Sequence, residues 1–145
     1  MNVNNQHFLV VAALGSDKIE VLEAFTKASK QCGCNILESR MTTFGEECSL
    51  LFHIEGSWNT VAKLEATLPM LASQLGFAIQ SKRTLPRQSP AALPYQVQVI
   101  AQDRPGILNE LAQFFVNQGV TVDQMDCETY LAKNQTLMTS ISFVV

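Results

Sequence analysis

Basic clusters are missing from this sequence: ten Lys and Arg are set against 13 Asp and Glu, for a net charge of −3 and a pI near 5.3. A surface that reads nucleic acid is usually basic, so direct DNA or RNA binding is not expected. Apolar runs are also short. None approaches the ~18 residues of a membrane-spanning helix. The start, Met1-Asn2-Val3-Asn4-Asn5-Gln6-His7, lacks the basic and apolar regions of a signal peptide. The chain therefore reads as cytoplasmic, with Cys32, Cys34, Cys48 and Cys127 reduced. Catalytic equipment is equally thin. His7 and His53 are the two histidines, and no Gly-x-Ser-x-Gly, P-loop or Gly-x-Gly-x-x-Gly occurs. Glu46 and Glu47 are consecutive, so their carboxylates point apart. Cys32-x-Cys34 is tighter than a zinc knuckle, even with Cys48 or His53 nearby, and reads as buried free thiols. No enzyme, no bound metal and no cofactor are expected.

What is present is a core and a repeat. Hydrophobic residues make up 47% of the chain, enough for an ordinary folded protein. An offset of 86 residues carries Asp17 onto Asp103, Gly33 onto Gly119 and Ile36 onto Val122. Each copy reads as an apolar strand, an Asp-basic turn, an amphipathic helix, a glycine stop and a second strand. That period is too long for a solenoid unit and describes a small domain used twice.

In copy one, the strand Phe8 to Leu14 precedes a helix capped by Asp17, carrying Val21, Leu22, Phe25 and Ala28 and stopping at Gly33. Strands follow over Asn35 to Phe44 and Cys48 to Ile54, with His53 on a sheet face or rim. Ser57 or Asn59 starts a second helix through Val61, Leu64, Leu68, Leu71 and Leu75, with Pro69 predicting a kink or restart and Gly76 a stop. Phe77 to Lys82 is the last strand. The order βαββαβ predicts an α+β, ferredoxin-like fold over residues 7–84. Pro86, Pro90 and Pro94 mark 85–94 as a stiff linker.

Copy two, residues 95–145, runs through strand Gln96 to Ala101, a helix from Pro105 at N1 to Gly119, and strands Val120 to Thr129 and Leu137 to Val145. The chain then stops, one helix and one strand short of copy one's plan. The expectation is a second domain that is C-terminally incomplete, through truncation or by design. An incomplete sheet leaves an edge open to another chain.

The turn Asp103-Arg104-Pro105-Gly106-Ile107-Leu108 is the best candidate site. Gly106 allows close backbone approach, Pro105 fixes φ, and free amides at a helix start attract a carboxylate. Asp103 could accept from an ammonium, so a free amino acid would satisfy both ends. The plainer alternative has Asp103 capping the helix and Arg104 solvated.

The repeated βαββαβ pattern, with Asp103-Arg104-Pro105-Gly106-Ile107-Leu108 opening its helix, resembles the ACT domain, a small-molecule regulatory module. Gly33-Cys34-Asn35-Ile36, Gly45-Glu46-Glu47, Gly56-Ser57-Trp58-Asn59 and Leu64-Glu65-Ala66-Thr67-Leu68-Pro69 are together similar to the glycine cleavage system transcriptional repressor family. The resemblance implies tandem ACT domains and a non-enzymatic, amino-acid-responsive repressor of the glycine cleavage operon. It implies action through contact with an activator protein of LysR type, an effector such as glycine or another small amino acid, and a homodimer. Asn35 and Thr121, at the start of the second strands, are the polar contacts it implies beside residues 103–108 and Asp17. Copy one departs from the pattern: Asp17-Lys18-Ile19-Glu20 replaces Asp-Arg-Pro-Gly, and Glu20 would repel a carboxylate. The alternatives are a ligand-free ACT interaction module and a regulatory subunit of an amino-acid-pathway enzyme.

Overall fold

The computed structural model describes residues 6–16, 18–86, 88 and 92–145. It divides into two compact units, Met1–Gln88 and Ser89–Val145. Both are α+β and ferredoxin-like, and the second is shorter.

Unit 1 runs β1 (His7–Ser16), α1 (Val21–Cys32), β2 (Asn35–Phe44), β3 (Glu47–Gly56), α2 (Trp58–Leu75) and β4 (Ala78–Thr84). Its antiparallel sheet has the order β2-β3-β1-β4. Alternation along β1 and β3 sends Leu9, Val11, Ala13, Cys48, Leu50, Phe52 and Ile54 to one face, where both helices cover them. α1 adds Val21, Phe25 and Ala28; α2 adds Val61, Leu64, Leu68, Leu71 and Leu75, the i, i+3, i+4 stripe seen in the sequence. Phe25 sits between Phe52 and Phe77, with ring centroids 5.6 and 6.2 Å away.

The glycine stops are where the sequence puts them: Gly33 and Gly76 take φ of 79° and 70° and cap α1 and α2. Ser57 starts α2, its hydroxyl oxygen accepting the Thr60 N–H at 3.1 Å. Of the kink or restart expected at Pro69, the restart does not occur, because α2 continues through it. Pro69 cannot donate to the Glu65 carbonyl, but Leu64, Leu68, Leu71 and Leu75 are buried on either side of it and hold the helix to the sheet. Asp17 lies outside the described residues. Glu20 occupies the N-cap position of α1 and makes no side-chain cap.

Unit 2 runs β5 (Gln96–Gln102), α3 (Ile107–Asn117), β6 (Gln124–Leu131) and β7 (Leu137–Val144), with sheet order β5-β7-β6. Its core is small: Phe115, Ile141 and Phe143, flanked by Val97, Leu108, Leu111 and Val145. Phe115 meets Phe143 edge-on at 4.8 Å. β5 and β7 occupy the places of β1 and β3. Among the described residues no strand lies on the outer side of β5, where β4 lies against β1 in unit 1.

Two boundaries in unit 2 correct the sequence reading. Pro105 is not at N1: α3 begins at Ile107 and its N-cap is Gly106, with φ of 87°. The left-handed turn at Gly106 comes after Pro105, so the proline stiffens the loop and not the helix. β6 begins at Gln124 rather than Val120, because Gly119 turns left-handed and the segment up to Asp123 climbs back to the sheet before pairing starts. Thr121 therefore lies in a loop, not at a strand start.

Candidate functional site

The turn from Asp103 to Leu108 links β5 to α3, and β7 anchors it. Asp103 donates its backbone N–H to the Leu137 carbonyl at 2.9 Å. Its carboxylate oxygen Oδ1 accepts from the hydroxyl of Thr139 at 2.8 Å. Thr139 is buried, with 2% of its surface exposed, while Asp103 is exposed. A buried hydroxyl thus finds its partner in a carboxylate at the rim and fixes that carboxylate's direction. The capping role considered for Asp103 is not what it does: α3 has no side-chain cap.

Arg104 is not simply solvated. Its guanidinium binds Glu110 in a two-pronged ion pair, with Nη1 donating to Oε1 at 2.8 Å and Nη2 to Oε2. This hydrogen bond draws the Glu110 carboxyl below its usual range and raises the guanidinium pKa. Both side chains are more than half exposed, so the pair adds little stability.

The start of α3 holds the donors. Ile107 N–H donates to the Arg104 carbonyl at 3.4 Å and Glu110 N–H to the Gly106 carbonyl at 3.0 Å. The N–H groups of Gly106, Leu108 and Asn109 have no acceptor among the described residues. A Cβ built on Gly106 meets nothing within 4 Å, so the approach to these amides is open. Free amides and the positive end of the helix dipole receive anions, a carboxylate among them. Ile107 and Leu108 are half-buried, and Leu108 packs on the core.

Asp103, Arg104, Pro105, Gly106, Ile107 and Leu108 are thus one continuous surface. Thr121 is not part of it. It follows α3, an 11-residue helix, and so lies roughly 16 Å along the axis from the turn. Asn35 is exposed and opens β2 in unit 1, paired with Glu55 on β3.

Three features escaped the sequence reading. Thr139 supports the turn from 36 residues away. Lys18 Nζ donates to the Leu75 carbonyl at 3.3 Å, placing a cation at the C-terminal end of α2. Arg83 binds Glu65 at 2.6 and 3.0 Å, with Trp58 and the His7 ring close by. All are long-range, and no local pattern announces them.

Among the described residues no three His, Cys, Asp or Glu converge as a metal site. None of the four cysteines forms a disulfide among the described residues; Cys34 and Cys48 are buried, Cys32 half-buried and Cys127 exposed. Burial pushes the Cys34 thiol pKa up. No described helix is long and apolar enough to cross a membrane.

Known proteins are similar in sequence and in fold. The ACT domain family model matches residues 7–82. The glycine cleavage system transcriptional repressors of Escherichia coli (strain K12) and Shigella flexneri are each 32% identical over 136 residues, which is 93% of this chain and 72% of the relative. A crystal structure described as a glycine cleavage system transcriptional repressor superposes with a TM-score of 0.74 at 30% identity, covering 97% of this chain and 81% of that one. A protein from Galdieria sulphuraria has the same TM-score at 22% identity, over 96% of this chain and 81% of its own, and attests the fold alone. The chain is a regulatory ACT protein and belongs to the glycine cleavage system transcriptional repressor family.

Proposed function

We propose that this protein represses the glycine cleavage operon by contact with an activator protein of LysR type, and that a small amino acid, glycine first, relieves that contact. One observation supports the amino-acid response most: an open, left-handed Gly106 stands over unclaimed amides beside a carboxylate held by Thr139. A ligand carboxylate would take the amides and the helix dipole, and its ammonium would approach Asp103. The open space beside Gly106 suits a ligand with no side chain of its own to place.

A single turn contacts one side of a small ligand. In this reading the other side is closed by a second copy of the chain, in a homodimer. The acidic balance of the chain fits a repressor that acts on a protein. Effector and activator must then oppose one another reciprocally, because a ligand shifts an equilibrium only by its differential affinity for the two states.

Activator capture on the immobilised chain, with and without saturating glycine, tests this. Glycine should weaken capture, and Gly106→Val should abolish the glycine effect while capture itself persists. Unchanged capture with glycine would remove the amino-acid response. A ligand-free interaction module is favoured by one feature, the engagement of Arg104 by Glu110, which leaves no cation in the turn for a carboxylate.

A further inference from the structure

We infer that the helix-free face of the unit 1 sheet captures the C-terminal end of a partner polypeptide, one whose last residue is apolar and whose terminal carboxylate is bound by Arg40. This capture belongs to unit 1 and is independent of the amino-acid response proposed for the turn in unit 2.

The register of the sheet fixes what that face carries. Alternation along β1 sends Phe8, Val10, Ala12 and Leu14 away from the helices. A sheet with one face in water usually turns polar residues outward, as β5 does with Gln96, Gln98 and Gln102. β1 is apolar on both faces. On one side of it β3 turns out Leu51 and His53, and on the other β4 turns out Gln80 and Lys82.

β2 reaches this face through a bulge. Asn35 pairs with Glu55 and Ile36 with Ile54, but it is Glu38, not Leu37, that pairs with His53. The extra residue reverses the alternation, so Glu38 and Arg40 stand beside His53 and Leu51 in place of Leu37 and Ser39. Bulges re-aim side chains in this way next to functional sites. The result is a hollow of about 160 Å³, lined by Glu38, Arg40 and His53 over the apolar Val10 and Leu51.

Arg40 and Glu38 are not a closed pair. Their nearest atoms are 3.6 Å apart, beyond hydrogen-bond length, and both side chains are more than half exposed; Arg83, by contrast, binds Glu65 at 2.6 Å. The last residue of a polypeptide offers a carboxylate and an N–H joined through one carbon. The guanidinium suits the carboxylate, Glu38 accepts the N–H, and Val10 and Leu51 receive the side chain. His53 Nε2 is buried and has no hydrogen-bond partner among the described residues, a cost that leucine at this place would not carry. A half-turn of the ring about Cβ–Cγ exchanges Nε2 with Cε1 and gives it the same carboxylate. A second hollow lies on the other side of Val10, lined by Ala12, Gln80 and Lys82. One to two strand spacings separate the two, roughly 5–10 Å, the reach of alternate side chains in an extended chain. The ligand is therefore longer than one residue. Glu38, Arg40 and Lys82 together leave one net positive charge, which a single terminal carboxylate balances.

Isothermal titration of the full chain with the peptide acetyl-Ala-Ala-Val-Ala-Leu tests the capture. The free acid should bind, and the same peptide with an amidated C-terminus should bind about tenfold or more weakly, since a charge-assisted bond is lost. Arg40→Gln should weaken the free acid by a similar factor and leave the amide unchanged. Glycine in place of the terminal leucine should weaken binding by about tenfold, through the lost apolar contact. Arg40 is exposed, so Arg40→Gln should keep the circular dichroism of the parent. Gly106→Val should not alter peptide binding. A free acid that does not bind, a free acid and amide that bind alike, or free leucine binding as tightly as the peptide would overturn the inference, as would loss of peptide binding in Gly106→Val. A missing glycine response with peptide binding intact would count against the proposed function alone.

Discussion

Removing either partner of the Asp103–Thr139 hydrogen bond should have unequal consequences, because one partner is wet and the other dry. Thr139 is 2% exposed and its hydroxyl donates at 2.8 Å to a carboxylate that faces solvent. In Thr139→Val the shape is kept, the buried hydroxyl goes, and water takes its place on the carboxylate, so the loss should stay below about 1 kcal/mol. In Asp103→Ala the hydroxyl remains buried with no acceptor, at a cost of about 1–3 kcal/mol. The double variant should recover part of that loss, and Asp103→Asn, which keeps a carbonyl acceptor, should lose little. For a small domain each kcal/mol is worth roughly 4–8 °C in Tm. The fluorophores separate the units: Trp58 lies in unit 1, Tyr95 and Tyr130 in unit 2. Urea unfolding followed by tyrosine emission should show the difference, with the tryptophan transition in place. Equal losses in the two single variants, or a double variant worse than Asp103→Ala, would refute the reasoning.

Gly106→Ala should cost about 1–2 kcal/mol in unit 2, from the left-handed backbone alone, since its Cβ meets nothing; Gly106→Asn should cost less, and thermal unfolding compares them. Gly15→Ala should cost about 1–3 kcal/mol for the opposite reason. Its Cβ would stand 2.6–2.9 Å from the ring of Phe77, and Phe77→Leu should relieve that loss in a double-mutant cycle. The Arg104–Glu110 pair lowers the Glu110 pKa, so whatever stability it adds is present above the ordinary glutamate pKa of about 4.3 and fades as pH falls through the depressed value. Glu110→Gln should remove that acid-side slope, and, the pair being exposed, leave the midpoint near pH 7 almost unmoved in urea titrations.

The parts of the fold carried by local rules were legible in the sequence. The strand Asn35–Phe44 and the stops at Gly33 and Gly76 follow from alternation and from the need for a left-handed residue after a helix. Where local rules compete, tertiary packing decides. Pro69 reads as a helix breaker, yet the leucine stripe on both sides of it keeps α2 whole. Pro105 reads as N1, but the left-handed turn at Gly106 postpones the helix to Ile107. The turn itself was legible because glycine, proline and aspartate have strong local preferences. Its support was not, because the partner of Asp103 is a threonine on the far strand of a hairpin, and nothing near Thr139 in the chain distinguishes it from Thr129 or Thr136. Boundaries in unit 2 are blurred for a further reason. Val120 and Val122 have strand-forming side chains, but β7 offers them no pairing until Gln124.

Amino-acid sensing at the Asp103–Leu108 turn is the central claim, and thermal unfolding of the whole chain against a panel of free amino acids tests it most directly. A ligand at about 100 times its Kd adds about 2.7 kcal/mol to the state it binds. The account predicts a rise in Tm with glycine that larger amino acids do not match, reduced by Thr139→Val and lost in Gly106→Val. A flat panel, or a glycine shift that survives Gly106→Val, would contradict it.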